Sequence, residues 1–175
     1  MDVRACEQSD LPLLDQALPV AGPYGHAHRL RGQEQERWLY LVAFDPAPVG
    51  ACLVHWRGPV HDDVRRQLPD AVEITHLYVA PEVRDRGVGH ALVAAAEREA
   101  QLRVRRTIGV GVSDDNPDAR RLYERLGYTP TGARYRVEYD YVTETGATVH
   151  AEEQGDFLTK TLSDLPARGG SPLRS

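Results

Sequence analysis

The sequence predicts an α/β fold, a single domain in which a mixed, mostly antiparallel central sheet is flanked by helices. Residues 72–79 favour a buried strand, and a helical apolar pattern follows from Val88 to Gln101. Shorter strand-like segments precede and follow this unit, and two of those before it have the pattern of a hairpin. The chain has 175 residues, a length that suits one domain with its own hydrophobic core.

The segments at the start of the chain are predicted to be a strand and one or two helices. Residues 3–6 favour a short first strand. Ser9 or Asp10 suits the N-cap of a helix with leucines on one face, which ends at the prolines that follow. Residues 24–36 are polar and contain two glycines, so both a short helix and a loop remain open there.

A hairpin is predicted before the central strand. Residues 38–44 and 49–56 are rich in strand-forming side chains, and the turn Asp45–Pro48 joins them, which favours antiparallel pairing. Residues 57–70 are charged and bounded by prolines, so we predict a surface loop that leads into the central strand.

A second strand and helix follow the central helix. Residues 107–112 favour a strand, Asn116 suits an N-cap, and Pro117 suits the first helical position. Apolar residues then recur at helical spacing over 117–126. Gly127 supplies the left-handed residue that ends such a helix.

Two strands and a tail complete the chain. Residues 135–142 alternate between apolar and charged, residues 143–146 favour a turn, and residues 157–162 favour a last strand. We therefore expect one domain over residues 1–163. The tail 164–175 is predicted to be disordered, because its composition buries too little apolar area to offset the entropy of ordering.

The loop from Arg84 to Gly89 is predicted to bind a diphosphate. Gly87 and Gly89 allow positive φ angles and close approach of a ligand, and the following helix offers unpaired N–H groups and the positive end of its dipole. Arg84 and Arg86 add donors suited to phosphate oxygens. The alternative is an ordinary helix start with solvated arginines.

Two familiar phosphate loops do not fit. A dinucleotide fingerprint needs a third small residue where this chain has Leu92, and a Walker loop needs Lys followed by Ser or Thr where it has His90 and Ala91. A general nucleotide-phosphate binder, which would need only the Arg84 to Gly89 loop, stays open as an alternative function.

The motif Arg84-x-x-Gly87-x-Gly89, after Leu77-Tyr78-Val79 and before an alanine-rich helix, resembles the signature of the GNAT superfamily of acyl-CoA-dependent N-acetyltransferases. The segment 116–128, NPDARRLYERLGY, is similar to the family's next conserved block. The resemblance covers nearly the whole chain but leaves residues 21–36 and 57–70 unmatched. It implies a GNAT-like fold, transfer of an acetyl group to a primary amine by direct attack in a ternary complex, acetyl-CoA as cofactor and coenzyme A as product.

The resemblance also implies a set of cofactor-binding residues. Backbone N–H groups of the central strand would bind the acyl carbonyl and the pantetheine amides, the glycine loop would bind the diphosphate, and the N-cap asparagine would contact the coenzyme. The predicted residues are Leu77, Tyr78, Val79, Arg84, Asp85, Arg86, Gly87, Val88, Gly89, His90, Asn116 and Tyr123.

Amide formation requires a neutral amine, so a general base is expected. Glu73 stands where many family members carry a glutamate base, and its alternative role is a strand-edge acid paired with an arginine. His76 is the rival base. On a regular strand Glu73 and His76 point to opposite faces, although a bulge would undo this argument.

Tyr123 is the predicted general acid that protonates the departing thiolate, because the family places a tyrosine there. Its alternative role is a core tyrosine. A non-catalytic acyl-CoA sensor or regulatory module is the alternative function, and the presence of both Glu73 and Tyr123 favours an enzyme.

The acceptor is predicted to be an amine-bearing and cationic molecule. The formal net charge of −5 disfavours nucleic acid and modestly favours cations. Several acidic side chains lie in segments near the expected acceptor side. They could attract a cationic acceptor, but they could equally be ordinary solvated surface charges. They are Asp62, Asp63, Glu138, Asp140 and Glu144.

Cysteine usage and hydropathy predict a cytoplasmic protein with no membrane partner. Cys6 and Cys52 lie far apart without metal or redox spacing, and no apolar run suits a signal peptide or a membrane span. The seven histidines lack tight ligand spacing, so no metal is predicted. A homodimer is allowed, although no residue pattern specifies it.

Overall fold

A computed structural model of the chain describes residues 1–20, 24–142, 146 and 148–163. It has the predicted α/β architecture. The strands of this part of the chain are β1 (Asp2–Ala5), β2 (Trp38–Phe44), β3 (Pro48–His55), β4 (Val72–Val79), β5 (Thr107–Ser113), β6 (Thr129–Val142) and β7 (Thr148–Thr161). The α-helices are α1 (Leu11–Ala17), α2 (His26–Glu34), α3 (Asp62–Gln67), α4 (Val88–Leu102) and α5 (Pro117–Arg125).

The strands form one mixed sheet in the order β1-β2-β3-β4-β5-β7-β6. Every neighbouring pair is antiparallel except β4 and β5, which α4 connects as a parallel pair. The parallel pairing is short: it reaches only from Val72 opposite Ile108 to Ile74 opposite Val110. The predicted fold class is therefore confirmed, and the sheet has one short parallel pairing at its centre.

Helices cover both faces of the sheet, and β2 contributes alternate residues to two cores. Leu39 and Leu41 join the core beneath α4, together with Leu92 of that helix. Tyr40 and Val42 belong to the opposite core, beneath α1 and α2. This alternation follows from the period of two of a strand, and it fixes which strand residues can face α2.

Two segments differ from, or refine, the sequence prediction. The predicted surface loop 57–70 contains α3, which begins with acidic residues and ends with Arg65 and Arg66, an arrangement that suits the helix dipole. The only buried residue of that helix is Val64, so its apolar pattern was too sparse to indicate a helix. The open choice for residues 24–36 is resolved, because α2 lies there.

The last two strands are longer than predicted. They begin at Thr129 and Thr148, whereas the sequence suggested starts at residues 135 and 157. Residues 148–154 include no fully buried position, and Val149 and Ala151 are the only apolar residues among them, too few to indicate a strand. Of the predicted turn only Gly146 is described, and the predicted disordered tail 164–175 lies outside the described residues.

Gly155 tests how closely β7 packs on β5. A Cβ atom at this position would overlap the carbonyl group of Val112, and backbone in a central sheet moves aside only at a cost. We expect Gly155→Ala to lower the free energy of unfolding by about 2 kcal/mol in urea denaturation. Gln154→Ala, at an exposed neighbouring position, is the matched control. An unchanged midpoint for Gly155→Ala would contradict the close packing.

Candidate active site

A groove of about 1200 Å³ opens where β4 and β5 stop pairing. Beyond Ile74 and Val110 the two strands diverge, and residues 75–79 and 111–113 line opposite sides of the groove. Buried backbone groups normally have hydrogen-bond partners, so strand edges that face such a space are suited to binding a ligand.

A bulge in β4 lies at the same point. Tyr78 pairs with Ala51, but Thr75 pairs with Leu53, so two residues of β4 stand opposite one residue of β3. His76, within this bulge, has a φ of 52° in the left-handed region. A bulge bends a strand and increases its twist, which accounts for the divergence of β4 from β5.

The end of β4 directs an amide toward the groove. The N–H of Ala80 donates to the Val49 carbonyl at 2.9 Å and therefore points toward β3. Because successive amides of a strand point in opposite directions, the N–H of Val79 points toward the groove.

The loop before α4 borders the other end of the groove. Gly87 is the N-cap of α4 with a φ of 84°, and the first helical bond runs from the Ala91 N–H to the Gly87 carbonyl at 3.0 Å. The N–H groups of Val88, Gly89 and His90 therefore lack acceptors within the helix. A Cβ atom at Gly87 would meet no atom within 4 Å, so this side of the loop is open to an anion.

Nearly all of the predicted cofactor-binding residues meet at this groove. Arg84 lines it, whereas Arg86 is exposed and does not. The predicted residues that line the groove are Leu77, Tyr78, Val79, Arg84, Asp85, Gly87, Val88, Gly89, His90, Asn116 and Tyr123.

Tyr123 is held in the groove wall by α5. The Asn116 side chain caps this helix, because its Oδ1 accepts from the Ala119 N–H at 3.0 Å. The Tyr123 side chain is only 4% exposed, and its ring meets the edge of Tyr128 at 5.5 Å between centroids. Burial, with a smaller effect of Cys52, raises the pKa of Tyr123, so the hydroxyl stays protonated and can donate a hydrogen bond.

Glu73 is buried beside the groove but does not line it. Its side chain is 2% exposed, and Oε2 accepts from the Val60 N–H at 2.6 Å. Burial raises the pKa of Glu73 to about 7, although the N–H groups of Val60 and Gly111 and the charge of Arg65 oppose this rise. Thr75, two residues along the same face of β4, does line the groove.

The prediction that Glu73 and His76 point to opposite faces is wrong, because the bulge breaks the alternation. Glu73 pairs with His55 of β3, whose Nε2 lies 2.9 Å from Thr75 Oγ1. His76 Nδ1 lies 3.0 Å from the same oxygen, so all four side chains share the face covered by α2. Partial desolvation lowers the pKa of His76 below its ordinary value, and the positive charge of Arg29 acts in the same direction.

A second cavity, of about 380 Å³, adjoins the groove on that face. His76, Leu77 and Tyr78 line both spaces and so form a shared wall. The other lining residues are Leu18, Pro19, Val20, His26, Arg29 and Ala51. His26 and Arg29 were not predicted, because α2 has almost no apolar residues; its inner face is marked only by the buried positions 26, 29, 30 and 32.

The acidic residues predicted near the acceptor are engaged elsewhere. Asp62 and Asp63 pair with arginines of their own helix, Glu138 pairs with Arg136 at 3.3 Å, and Asp140 lies 2.8 Å from His150. None of these four lines the groove, and Glu144 lies outside the described residues. Three other acidic residues line it, namely Asp85, Asp118 and Glu153, and of these only Asp85 was among the predicted site residues.

Glu153 is the groove-lining acid on the outer part of β7. Its Oε1 accepts from the Tyr135 hydroxyl at 2.7 Å. The polar segment around it gave no pattern that could have singled it out. Glu153 therefore places one negative charge on the groove wall.

Within the described ranges, no group of three or more His, Cys, Asp or Glu side chains is placed to hold a metal ion. The same residues include no helix with the length and apolar character needed to cross a membrane.

A family model described as the acetyltransferase (GNAT) family matches residues 7–128. An uncharacterised N-acetyltransferase of Methanocaldococcus jannaschii is 30% identical over 98 residues, which cover 55% of this chain and 41% of that protein. An acetyltransferase of Agrobacterium fabrum is 42% identical over 57 residues, which cover 33% of this chain and 40% of that protein. The match thus spans about two fifths of the length of these relatives.

Solved structures share the fold over nearly the whole chain. The ribosomal-protein-S18-alanine N-acetyltransferase of Escherichia coli superposes with a TM-score of 0.63 at 18% identity and covers 97% of this chain and 99% of its own. A phosphinothricin acetyltransferase of Sinorhizobium meliloti, solved with acetyl-CoA, gives 0.62 at 18% identity, with 98% and 95% covered. At these identities the likeness shows the fold alone.

The raised pKa of Glu73 predicts a pH-dependent stability difference from Glu73→Gln. The folded protein holds this proton up to about pH 7, whereas the ordinary value is 4.5, so ionisation between these values destabilises the fold. Glutamine keeps the acceptor for Val60 but never ionises. We expect the free energy of unfolding of the variant, relative to that of the parent, to rise by about 3 kcal/mol from pH 4 to pH 8 in urea denaturation. A difference that does not change with pH would mean that the pKa of Glu73 is not raised.

Proposed function

The chain belongs to the GNAT acetyltransferase family, and from this premise we propose that it transfers an acetyl group from acetyl-CoA to a primary amine by direct attack in a ternary complex. The observation that carries the proposal is the gap between β4 and β5, which opens beside the N-terminus of α4. One end of this groove suits a diphosphate, and the other end offers backbone donors for an acyl group.

Acetyl-CoA would lie along the groove with its diphosphate at the start of α4. The N–H groups of Val88, Gly89 and His90, together with Arg84, supply the donors. The pantetheine would follow β4, and the backbone N–H groups of Leu77 and Val79 would bind the acyl carbonyl. An oriented N–H can stabilise a developing oxyanion by about 3 kcal/mol.

Glu73 would act as the general base through a water beside Thr75. A lysine-like amine of pKa ~10.4 costs about 4.6 kcal/mol to deprotonate at pH 7, which a base offsets. A carboxylate with a pKa of about 7 can both accept and release a proton near neutral pH. Glu73 takes one proton from the ammonium through the water, which frees the lone pair to attack the thioester carbon. The second proton leaves the nitrogen of the tetrahedral intermediate through the same water to solvent.

Tyr123 would act as the general acid. When the tetrahedral intermediate collapses, the C–S bond breaks and the thiolate takes the Tyr123 hydroxyl proton, which solvent later replaces. The supporting observation is a buried hydroxyl in the groove wall whose raised pKa keeps it protonated. Asn116 would contact the coenzyme while it caps α5.

The acceptor would be an amine-bearing molecule that is cationic at its amine before reaction. Glu153 supports this, because it lines the groove with a negative charge. The homodimer, the cytoplasmic location, the domain limits 1–163 and a role for Arg86 stay predictions. Sedimentation velocity of the purified chain measures the oligomeric state.

An acyl-CoA sensor would need the same groove but no acid or base. The two candidates separate in one experiment, a screen of amine acceptors with acetyl-CoA that follows release of the coenzyme A thiol. Turnover with any amine supports the enzyme. Tight binding of coenzyme A with no turnover on any amine would favour the sensor.

Arg84→Gln tests the position of the diphosphate. Removal of one charge-assisted hydrogen bond should weaken coenzyme A binding about tenfold in a calorimetric titration. Added salt should reduce the difference in Kd between the variant and the parent. Arg98→Gln, an exposed arginine on α4, is the control and should bind normally. Unchanged affinity in a folded Arg84→Gln protein would place the diphosphate elsewhere.

Tyr123→Phe tests the acid. The ring stays in the core while the hydroxyl is lost, so kcat should fall by about 10² at neutral pH with coenzyme A affinity unchanged and stability within about 1 kcal/mol. Tyr139→Phe, at an exposed tyrosine of β6, is the matched control. A normal kcat in the folded Tyr123 variant would remove this residue from the mechanism.

A further inference from the structure

Arg29 of α2 is a buried cation without an anionic partner. Its side chain is 9% exposed, and in the described part of the chain no carboxylate lies within ion-pair distance of it. A buried charge is costly unless it is paired. The exposed part of Arg29 faces the second cavity, which it lines. An anion bound there would supply the missing partner.

The surroundings of Arg29 hold it in place. The Trp38 indole N–H donates to the Arg29 carbonyl at 2.8 Å, which anchors this turn of α2. His26 Nε2 lies 2.7 Å from the Leu18 carbonyl and must donate to it, so Nδ1 accepts from the Tyr40 hydroxyl at 2.5 Å. The Arg29 guanidinium lies 5.9 Å from the centre of the Tyr40 ring. The Tyr40 hydroxyl also shares a hydrogen bond with the Arg29 side chain, so the guanidinium has a neutral partner but no anion, and its remaining N–H groups are left for a ligand.

The cavity has the size and the position of an acceptor site. Its volume of about 380 Å³ lies at the lower end of the range for small-molecule pockets. Leu18, Pro19 and Val20 give it an apolar side. Its wall of His76, Leu77 and Tyr78 is also the wall of the groove, at the point where the acyl group is proposed to lie.

The charges distinguish the kind of anion. Arg29 is the cationic side chain among the residues that line the cavity, and the depressed pKa of His76 keeps that imidazole neutral near pH 7. One guanidinium with a planar fork of donors matches a carboxylate, whereas a phosphate dianion would be left with an excess negative charge. Glu153 lines the groove but not the cavity, so the negative and positive groups stand apart.

We propose that the acceptor is a small amino acid, whose carboxylate binds Arg29 in the second cavity while its amine reaches the acyl group across the wall formed by His76, Leu77 and Tyr78. This inference rests on the proposed acetyl transfer. It assigns Arg29 as the residue that determines specificity for the acceptor.

The first experiment compares acceptors on the wild-type protein. The twenty standard amino acids are screened with acetyl-CoA by release of the coenzyme A thiol. The best one is then compared with its carboxamide and with its decarboxylated amine. We expect kcat/KM to be about 100-fold higher for the free acid. Equal rates for the carboxamide, or faster turnover of 2-aminoethyl phosphate or of peptides with a blocked carboxyl end, would overturn the proposal.

The second experiment changes the protein. Arg29→Gln should lower kcat/KM for the amino acid about 100-fold and leave the low rate with its carboxamide unchanged. Arg31→Gln, at an exposed position of the same helix, is the matched control. An equal loss with both acceptors, in a protein whose unfolding midpoint is normal, would make Arg29 a structural residue and overturn the assignment. If Arg29→Gln does not fold, the wild-type comparison of acid with carboxamide decides alone.

A binding measurement separates failure of this proposal from failure of the proposed function. The best amino acid, or each of the twenty if none is turned over, is titrated into the protein saturated with coenzyme A. Heat of binding that is lost in Arg29→Gln but kept in Arg31→Gln supports the site, even if no acetyl group is transferred. Turnover of amines without any preference for a carboxylate overturns the Arg29 site and leaves acetyl transfer standing. If no amino acid gives either heat of binding or turnover, the Arg29 site is overturned.

Discussion

The end of the parallel pairing between β4 and β5 is the constraint on which the rest of the site depends. Three residue pairs join β4 to β5, and beyond them the bulge at His76 bends β4 away from β5. Had the ladder continued, the amides of β4 would be satisfied by β5 and no groove would exist. The same bulge places His76 on the face of α2, so one backbone irregularity creates both the groove and the wall it shares with the second cavity.

Sequence predicted the parts of the molecule that rest on local chemistry. The strand, glycine loop and helix around Gly87 were expected, as were the Asn116 cap and the left-handed residue Gly127, whose φ is 88°. The family and the fold class are confirmed. The roles of Glu73 and Tyr123 stay predictions.

What sequence could not predict depends on long-range contacts. The helix α3 is recognisable only once Val64 meets its partners on β6 and β7. The inner face of α2 is polar, so no periodicity of apolar residues could reveal Arg29. The bulge at His76 shifts every later side chain of β4 by one position, and nothing in the local residue types requires it. Contacts between residues far apart in the sequence decide all three features.

The donors proposed to hold the cofactor are mostly backbone N–H groups, at the end of β4 and in the first turn of α4. Replacing a side chain leaves an N–H in place unless the new residue is proline, so this half of the site is insulated from most point mutations. The positive charge of the second cavity comes from one side chain, Arg29, so a single substitution could remove it. The proposed cofactor site therefore tolerates most substitutions, whereas the proposed acceptor site can lose its charge through one.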